Sequence, residues 1–456
     1  MTPPKTIAVV DIGKTNAKVV LVDGESFQEI AARTMPNGVV NAAPYPHFDT
    51  EKLWAFILES LGDLNREHPI DAISVTTHGA TAALVGEDGH LVLPVLDYEH
   101  EGPQEHADAY RAVRPRFEES GTPIMPMGLN AGLQIYWQSG RFPKAFAKAH
   151  HILMYAQYWS FRLTGIAASE VTSLGCHADL WEPRNGRFSS FVESQGWTRL
   201  MPPVRKAGDV LGPIRPEIAA ATGLRSDVPV HCGIHDSNAS LLPYVLTRKE
   251  PYAVVSTGTW VVVMAIGARS VVLDEARDTL INVNALGDPV PSSRFMGGRA
   301  FSLLGGKSGD LPPAAIAEVL ERGAMLLPSL PEESGPFPGH KATWTVPREE
   351  LSEDAAQAVI AFHLALMTAT CLDLIGADGP VIVEGPFAAN RAFLMMLKVA
   401  TDRPVLAGGS ATGTSIGAAC LAAGRAPDPA LVSIMDTLPT DAVDYAARWR
   451  ALAGQG

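Results

Sequence analysis

Apolar residues along this chain fall into two kinds of run. Short β-branched runs closed by Gly, Asn or Asp read as strands, and longer stretches with apolar residues every three or four positions read as helices. The chain opens with the first kind. IAVVDI enters GKTN and leaves as AKVVLVD, ending at the turn dipeptide Asp23-Gly24, so residues 7–23 predict a β-hairpin. TEKLWAFILESLGDLNRE (50–67) has helical spacing, with Thr50 placed as an N-cap. AISVTTHG is a short strand ending at His78-Gly79, and TAALVGEDGHLVLPVLDYEHEG predicts a hairpin turning at Glu87-Asp88-Gly89. From Asn130 to Leu180 the pattern is helical, most clearly in LQIYWQSGRFPKAFAKAHHILMYAQYWSFRLTG. VPVHCGIHDSNASLLPYVL (228–246) predicts a strand, a turn and a helix.

At Pro251 a second hairpin begins, PYAVVSTGTWVVVMAIG. It shares the layout of the first: apolar strand, centre rich in Gly, Thr and Ser, apolar strand. The likeness is architectural, a duplicated unit opening each half, and two such hairpins facing each other across a cleft would clamp one polyphosphate. Beyond Pro347 a long helical region precedes the strand PVIVEGPF, the helix ANRAFLMMLKVATD, the strand RPVLA and a glycine-rich turn into a helix, GGSATGTSIGAACLAAG. This mixture predicts an α/β fold. A chain of 456 residues exceeds a single core, and the charged LTRKEP near 246–251 marks the boundary, giving domains 1–246 and 247–456.

Composition narrows the function. The formal net charge of −13 lacks the basic footprint of a nucleic-acid binder, though a few lysines and backbone N–H groups still suffice for a small anion. Cys176, Cys232, Cys371 and Cys420 show no CxxC spacing, as in a reducing cytoplasm. No signal-peptide pattern opens the chain, and the long VVSTGTWVVVMAIGA run is too interrupted to span a membrane, so a cytoplasmic protein is expected.

Each candidate motif has a plain structural alternative. DIGKTN (11–16) is either a tight turn, with Gly13 and Asn16 tolerating an unusual backbone, or a phosphate loop. In the second reading Lys14, Thr15, Asn16 and backbone N–H groups face phosphate oxygens, and Asp11 holds Mg²⁺ directly or through water. STGTW (256–260) carries the same two readings, and the pair of loops together favours phosphate. In GIHDSNA (233–239), Asp236 is either an N-cap or, with Ser237 and Asn238 able to cap, a base for an attacking hydroxyl. His78, Asp97, Glu99 and His100 are either ordinary loop residues, the preferred reading for His100, or groups that recognise hydroxyls; Gly79 beside His78 allows close ligand approach. GPFAANRAF (385–393) and GGSATGTSIGAA (408–419) suit an adenine and ribose site, or simply helix packing at Gly417, Ala418 and Ala419. LLGGKSG (303–309) fails as a P-loop, because Phe301 occupies the required glycine position. His150, His151, His177, His231 and His235 form no zinc pattern with the cysteines.

Taken in order, DIGKTNAK, GIHDSNAS, STGTW and GPFAANRAFLMMLKVATDRPV…GTSIGAA resemble the FGGY carbohydrate kinases of the sugar kinase/actin/Hsp70 superfamily. FAKAHHILMYAQYWSFRLTGIAASEVTSLGCHADLWEP resembles the same family, and the likeness covers most of the chain. It implies two ribonuclease H-like domains around a central cleft, with ATP on the second-domain side and a sugar on the first. Carried across, it implies Asp236 as catalytic base and Asp11 as the Mg²⁺-associated residue. Gly13, Lys14, Thr15, Asn16, Lys18, Ser256, Thr257, Gly258, Thr259, Gly385, Asn390, Thr412 and Gly413 then fall on the ATP side, and His78, Gly79, Asp97, Glu99 and His235 on the sugar side.

Three departures from the family pattern stand out. Lys14 replaces the usual Thr, and would contact the γ-phosphate or pair with Asp11. The Asp97 loop lacks the Trp and Arg common in xylulose and glycerol kinases, and Gly385-Pro386 replaces a Gly-Gly pair. His235 before Asp236 is similar to deoxyketohexose kinases of the rhamnulokinase and fuculokinase type. The implied activity is ATP-dependent phosphorylation of a ketose such as L-rhamnulose or L-fuculose. A ketopentose or polyol is the alternative within the class, and a non-enzymatic ATP-driven switch the rival outside it. The implied partner is a small-molecule sugar, without nucleic acid or membrane, and a homodimer is allowed.

Overall fold

The first strand shows how the sequence pattern becomes a layered structure. The structure, a computed structural model, describes residues 3–330, 334–409 and 413–454. In the strand Thr6–Ile12, Ala8, Val10 and Ile12 join a core with Leu53, Ile57, Leu61 and Leu64 of the helix Thr50–Glu67. Ile7 and Val9 face the other way, into a core shared with Ala239 and Leu242 of the helix Asp236–Thr247 and Ala418, Ala419 and Cys420 of the helix Thr414–Ala423. Successive side chains alternate across a strand, so Asp11 continues the Ile7–Val9 row. Its place at the end of a buried strand follows from that alternation.

The chain divides into two units. The first holds residues 1–248 together with 281–289 and 412–428; the second holds 249–280, 290–411 and 429–456. In the first, the sheet runs Glu29–Pro36, Asn16–Asp23, Thr6–Ile12, Ala72–Thr77, Pro229–His231, Val210–Pro213. The first three strands pair antiparallel, Ala72–Thr77 and Pro229–His231 add in parallel, and Val210–Pro213 closes the edge antiparallel. In the second, the corresponding order is Pro289–Phe295, Val261–Ile266, Tyr252–Thr257, Val381–Glu384, Val405–Gly408, Leu431–Ser433, with the same sequence of pairings. The duplication visible in the two hairpins therefore extends through six strands of each sheet, to which Ile234–His235 is added in the first and Thr279–Val283 in the second.

Several expectations change. Thr50 is the first residue of its helix, and the cap is Asp49, whose carboxylate accepts from the Lys52 N–H at 3.0 Å. The helical reading of 130–180 is broken by a strand, Ala149–Met154, between the helices Ala131–Arg141 and Tyr155–Thr164. That strand takes Ala82–Gly86 as its antiparallel partner, while the expected turn at Glu87–Gly89 is kept: the Gly86 N–H donates to the His90 carbonyl at 2.8 Å, the Val92 N–H to the Leu84 carbonyl at 2.9 Å, and Val85 bridges Leu91. Gly13 does not use the left-handed backbone region; instead, a Cβ there would sit 3.1 Å from the Asn16 carbonyl. One helix, Glu353–Leu374, is long and apolar enough to cross a membrane, contrary to the expectation of none. Its residues are nearly all buried in the core of the second unit, so it is read as a core helix.

Small residues set the spacing of the helices that cover the Ile7–Val9 face. A Cβ at Gly417 would lie 1.7 Å from the Ala239 carbonyl, so the helices Thr414–Ala423 and Asp236–Thr247 touch through backbone at this point. Gly417→Val must part them, and overpacking of this kind typically costs about 1–3 kcal/mol. The expected result in chemical denaturation is a midpoint lowered by that energy divided by the slope, with the slope itself unchanged. An unaltered midpoint would remove this contact from the account of the fold.

Candidate active site

Strand register brings two carboxylates to the same level. Asp11 is opposite Thr76 on one side of Ala72–Thr77, and Ile234 and His235 are opposite Thr76 and Thr77 on the other. Asp236 follows directly, as the first residue of its helix, at the carboxyl ends of parallel strands where α/β sheets bind ligands. It is not the cap, a place taken by His235, and its carboxylate Oδ1 accepts from the Ser237 N–H at 2.6 Å. Burial raises the Asp236 pKa, and the adjacent His78 acts against that rise. The side chain nonetheless keeps 32% exposure, so it is recessed rather than sealed, and a small molecule can reach it.

Asp11 is buried and accepts from the Thr414 hydroxyl at 2.7 Å and the Ser415 hydroxyl at 3.1 Å, both on its Oδ2. Burial raises its pKa; the two hydroxyls oppose the rise, Asp236 adds to it, and Lys18, directly across the hairpin, opposes it. Among the described residues no group of three or more His, Cys, Asp or Glu forms a ready-made metal site. A lone recessed carboxylate suits magnesium, which keeps its waters and binds through one or two carboxylates plus substrate phosphates.

Two buried imidazoles flank Asp236. His78 packs among Phe48, Tyr98 and Tyr155, with ring centroids 5.0–5.3 Å away. Its Nδ1 lies 3.0 Å from the Gly79 carbonyl, so Nδ1 carries the proton and Nε2 is left as an acceptor with no partner among the described residues. His235 Nε2 lies 3.2 Å from Asp236 Oδ1 and 3.8 Å from Cys176 Sγ, and its Nδ1 has no partner among the described residues. Burial pushes both rings down to about 4. At neutral pH the ring in the His235–Asp236 contact is therefore neutral. Gly79 serves this packing: a Cβ there would meet His235 Nε2 at 2.5 Å, so the space its missing side chain frees is filled by His235.

Lys14 turns away from Asp11. Its ammonium pairs with Asp97 and, at 3.3 Å, with Glu99, and lies over the Tyr98 ring at 4.6 Å. The turn is braced by Asn37, whose side chain donates to the Gly13 carbonyl at 2.7 Å and whose N–H donates to the Thr15 carbonyl at 2.9 Å. Thr15, Asn16 and Lys18 are exposed.

In the second unit, a cavity of about 440 Å³ is lined by Gly258, Thr259, Gly298, Arg299, Phe301, Ser302, Ser308, Pro386, Phe387, Ala389 and Asn390. Its walls meet through glycine: a Cβ at Gly385, where φ is +78°, would lie 2.1 Å from the Thr257 carbonyl, and one at Gly298 would lie 1.9 Å from the Gly258 carbonyl. The Thr257 hydroxyl accepts from the Phe387 N–H at 3.1 Å, and Asn390 caps the next helix by accepting from the Phe393 N–H at 3.0 Å. Ser256 is exposed, as is Gly413 in the first unit, and Thr412 lies outside the described residues. Gly417, Ala418 and Ala419 are packing residues.

Sequence reasoning missed Thr414 and Ser415 as partners of Asp11, the aromatic box around His78, and the 298–308 wall of the cavity. The last had a signal: LLGGKSG, set aside as a P-loop, still contributes Ser308.

Comparisons with known proteins agree in one direction. Residues 6–243 match the N-terminal domain of the FGGY family of carbohydrate kinases, and residues 249–430 match the carbohydrate kinase FGGY C-terminal domain. The chain is 27% identical over 267 residues to an L-fuculokinase of Salmonella typhi; the match covers 57% of this chain and only 56% of that relative's length. A carbohydrate kinase from Novosphingobium aromaticivorans has a solved structure that is 36% identical, with a TM-score of 0.91 over 100% of this chain and 99% of the other. Xylulose kinase from Rhodospirillum rubrum, 18% identical, shares the fold with a TM-score of 0.80, over 99% and 98% of the two chains.

The two imidazoles give a direct check on the site. At pH 5.5 a solvated histidine is about nine-tenths protonated, whereas His78 and His235 are expected to stay neutral in ring-resolved NMR until the pH approaches 4. Their folded values lie below the ordinary 6.5, so protonation favours the unfolded chain increasingly as pH falls between those limits. A titration midpoint near 6.5 for either ring would contradict its burial.

Proposed function

The chain belongs to the FGGY family of carbohydrate kinases, and from that footing we propose that it transfers the γ-phosphoryl group of ATP to a hydroxyl of a ketose, with deoxyketohexoses of the L-fuculose and L-rhamnulose kind preferred. The observation that carries this reading is Asp236: a recessed carboxylate with a raised pKa, first in its helix, beside two neutral imidazoles. A raised pKa makes it a better proton acceptor at neutral pH. In the proposed step, Asp236 takes the proton of the attacking hydroxyl as its oxygen bonds to the γ-phosphorus and the bond to the ADP oxygen breaks.

Among the described residues His78 Nε2 and His235 Nδ1 are acceptors without donors, which suits the hydroxyl hydrogens of a sugar. Lys14 acts on the acceptor side, holding the Asp97–Glu99 loop against the hairpin. The nucleotide is assigned to the cavity around Thr259 and Asn390 in the second unit. Asp11 would hold Mg²⁺, which would supply charge that neutralises phosphate oxygens. Similarity to L-fuculokinase and the His-Asp pair at 235–236 support the deoxyketohexose choice.

The test is ADP release across L-fuculose, L-rhamnulose, D-xylulose, D-ribulose and glycerol. One of the first two is expected to exceed the others in kcat/KM by at least roughly tenfold, a span that pocket contacts of this kind can supply. Preference for a ketopentose or glycerol would overturn the substrate reading, and ATP hydrolysis indifferent to every acceptor would favour the switch. Asp236→Asn should lower sugar-dependent turnover about 10²–10⁴-fold with ATP binding retained; undiminished turnover would remove Asp236 as the base.

A further inference from the structure

Behind Asp236 lies a carboxyl that the proposed reaction does not use. Glu170 is fully buried, and three donors converge on its two oxygens. The Thr172 N–H reaches Oε1 at 2.9 Å, while the Thr172 hydroxyl at 2.5 Å and the Ser173 N–H at 3.3 Å reach Oε2. Thr172 is itself fully buried, and its Oγ1 accepts the His235 N–H at 3.1 Å. That amide belongs to the residue immediately before Asp236.

A threonine hydroxyl has one proton and two lone pairs. With its proton directed at Glu170, a lone pair is left facing His235, so the carboxylate fixes the sense of the bond that holds the backbone at the start of the Asp236 helix. On the other side the same backbone is held by Ala72–Thr77. A carboxyl group accepts from all three donors. A glutamine would have to turn its NH₂ toward either the Thr172 N–H or the Ser173 N–H, setting donor against donor.

From this chain of contacts we propose that Glu170 is a positioning residue for Asp236, acting through the Thr172 hydroxyl and the His235 amide. The proposal rests on the reading of Asp236 as the base. Reaction rates respond steeply to such placement, since a displacement of about 1 Å can cost about 10²-fold.

The experiment compares Thr172→Val, Thr172→Ser and Glu170→Gln, using whichever acceptor in the panel above gives the highest turnover. Thr172→Val and Glu170→Gln should lower kcat roughly 10- to 100-fold, within the range expected of misplacement, with KM for ATP little changed. Thr172→Ser, which keeps the hydroxyl, should restore kcat to near the parent value. Hydrogen exchange in the peptide spanning residues 228–240 should accelerate in the first and third variants and not in the second. Should Thr172→Val fold poorly, Thr172→Ala replaces it.

Equal kcat per folded molecule in Val and Ser variants would overturn the proposal, as would a loss confined to thermal stability. These outcomes are separable from failure of the base assignment, which would appear as retained turnover in Asp236→Asn. Absence of ADP release with every acceptor would bring down the kinase reading and this proposal with it.

Discussion

The site depends on one strand being paired in parallel on both sides. Ala72–Thr77 is flanked by Thr6–Ile12 and by the short pairing Ile234–His235, and both registers are anchored at Thr76 and Thr77. With those bonds in place, Asp11 and Asp236 emerge at one level, and the THG segment that continues the strand brings His78 beside Asp236. Burial on both faces of the sheet holds the register, because a one-residue slip would drive Ile7 and Val9 into the place of Ala8 and Val10 and turn every side chain to the opposite face.

Most of the sheet plan was legible, because it is written in local pattern. Alternation and turn dipeptides identified both hairpins, and helical spacing identified Thr50–Glu67 and Arg391–Thr401. Where local pattern misled, a remote partner decided. AHHILM carries apolar spacing suited to a helix, yet Ala82–Gly86, far away in sequence, offers it a ladder of hydrogen bonds, and the segment becomes a strand. In the site, Asp236 and His78 could be named from residue type and place. The partners of Asp11 and Lys14 could not, because Thr414 and Asp97 are brought to them only by the fold. Gly79 shows the same limit. Its missing side chain was legible as a need for space, but not that a histidine would fill it.

The electrostatics of the first unit are those of a pocket with few charges and many dipoles. His78 and His235 are held neutral by burial, and Asp236 is pushed toward its protonated form by the same cause. The lysine nearest this group is committed to Asp97 and Glu99.

The helix Thr414–Ala423 comes from near the end of the chain, yet it completes the first unit by covering Ile7, Val9, Val20 and Val22. This ordering bears on synthesis. As the polypeptide leaves the ribosome, its earliest strands are available hundreds of residues before the helix that must cover them. Until then an apolar sheet face is left to solvent, to chaperones or to other nascent chains. Long-range contacts of this kind slow folding. Strands made early are therefore among the last parts to be finished, and a fragment cut at the apparent boundary near Arg248 would remain permanently in that unfinished state.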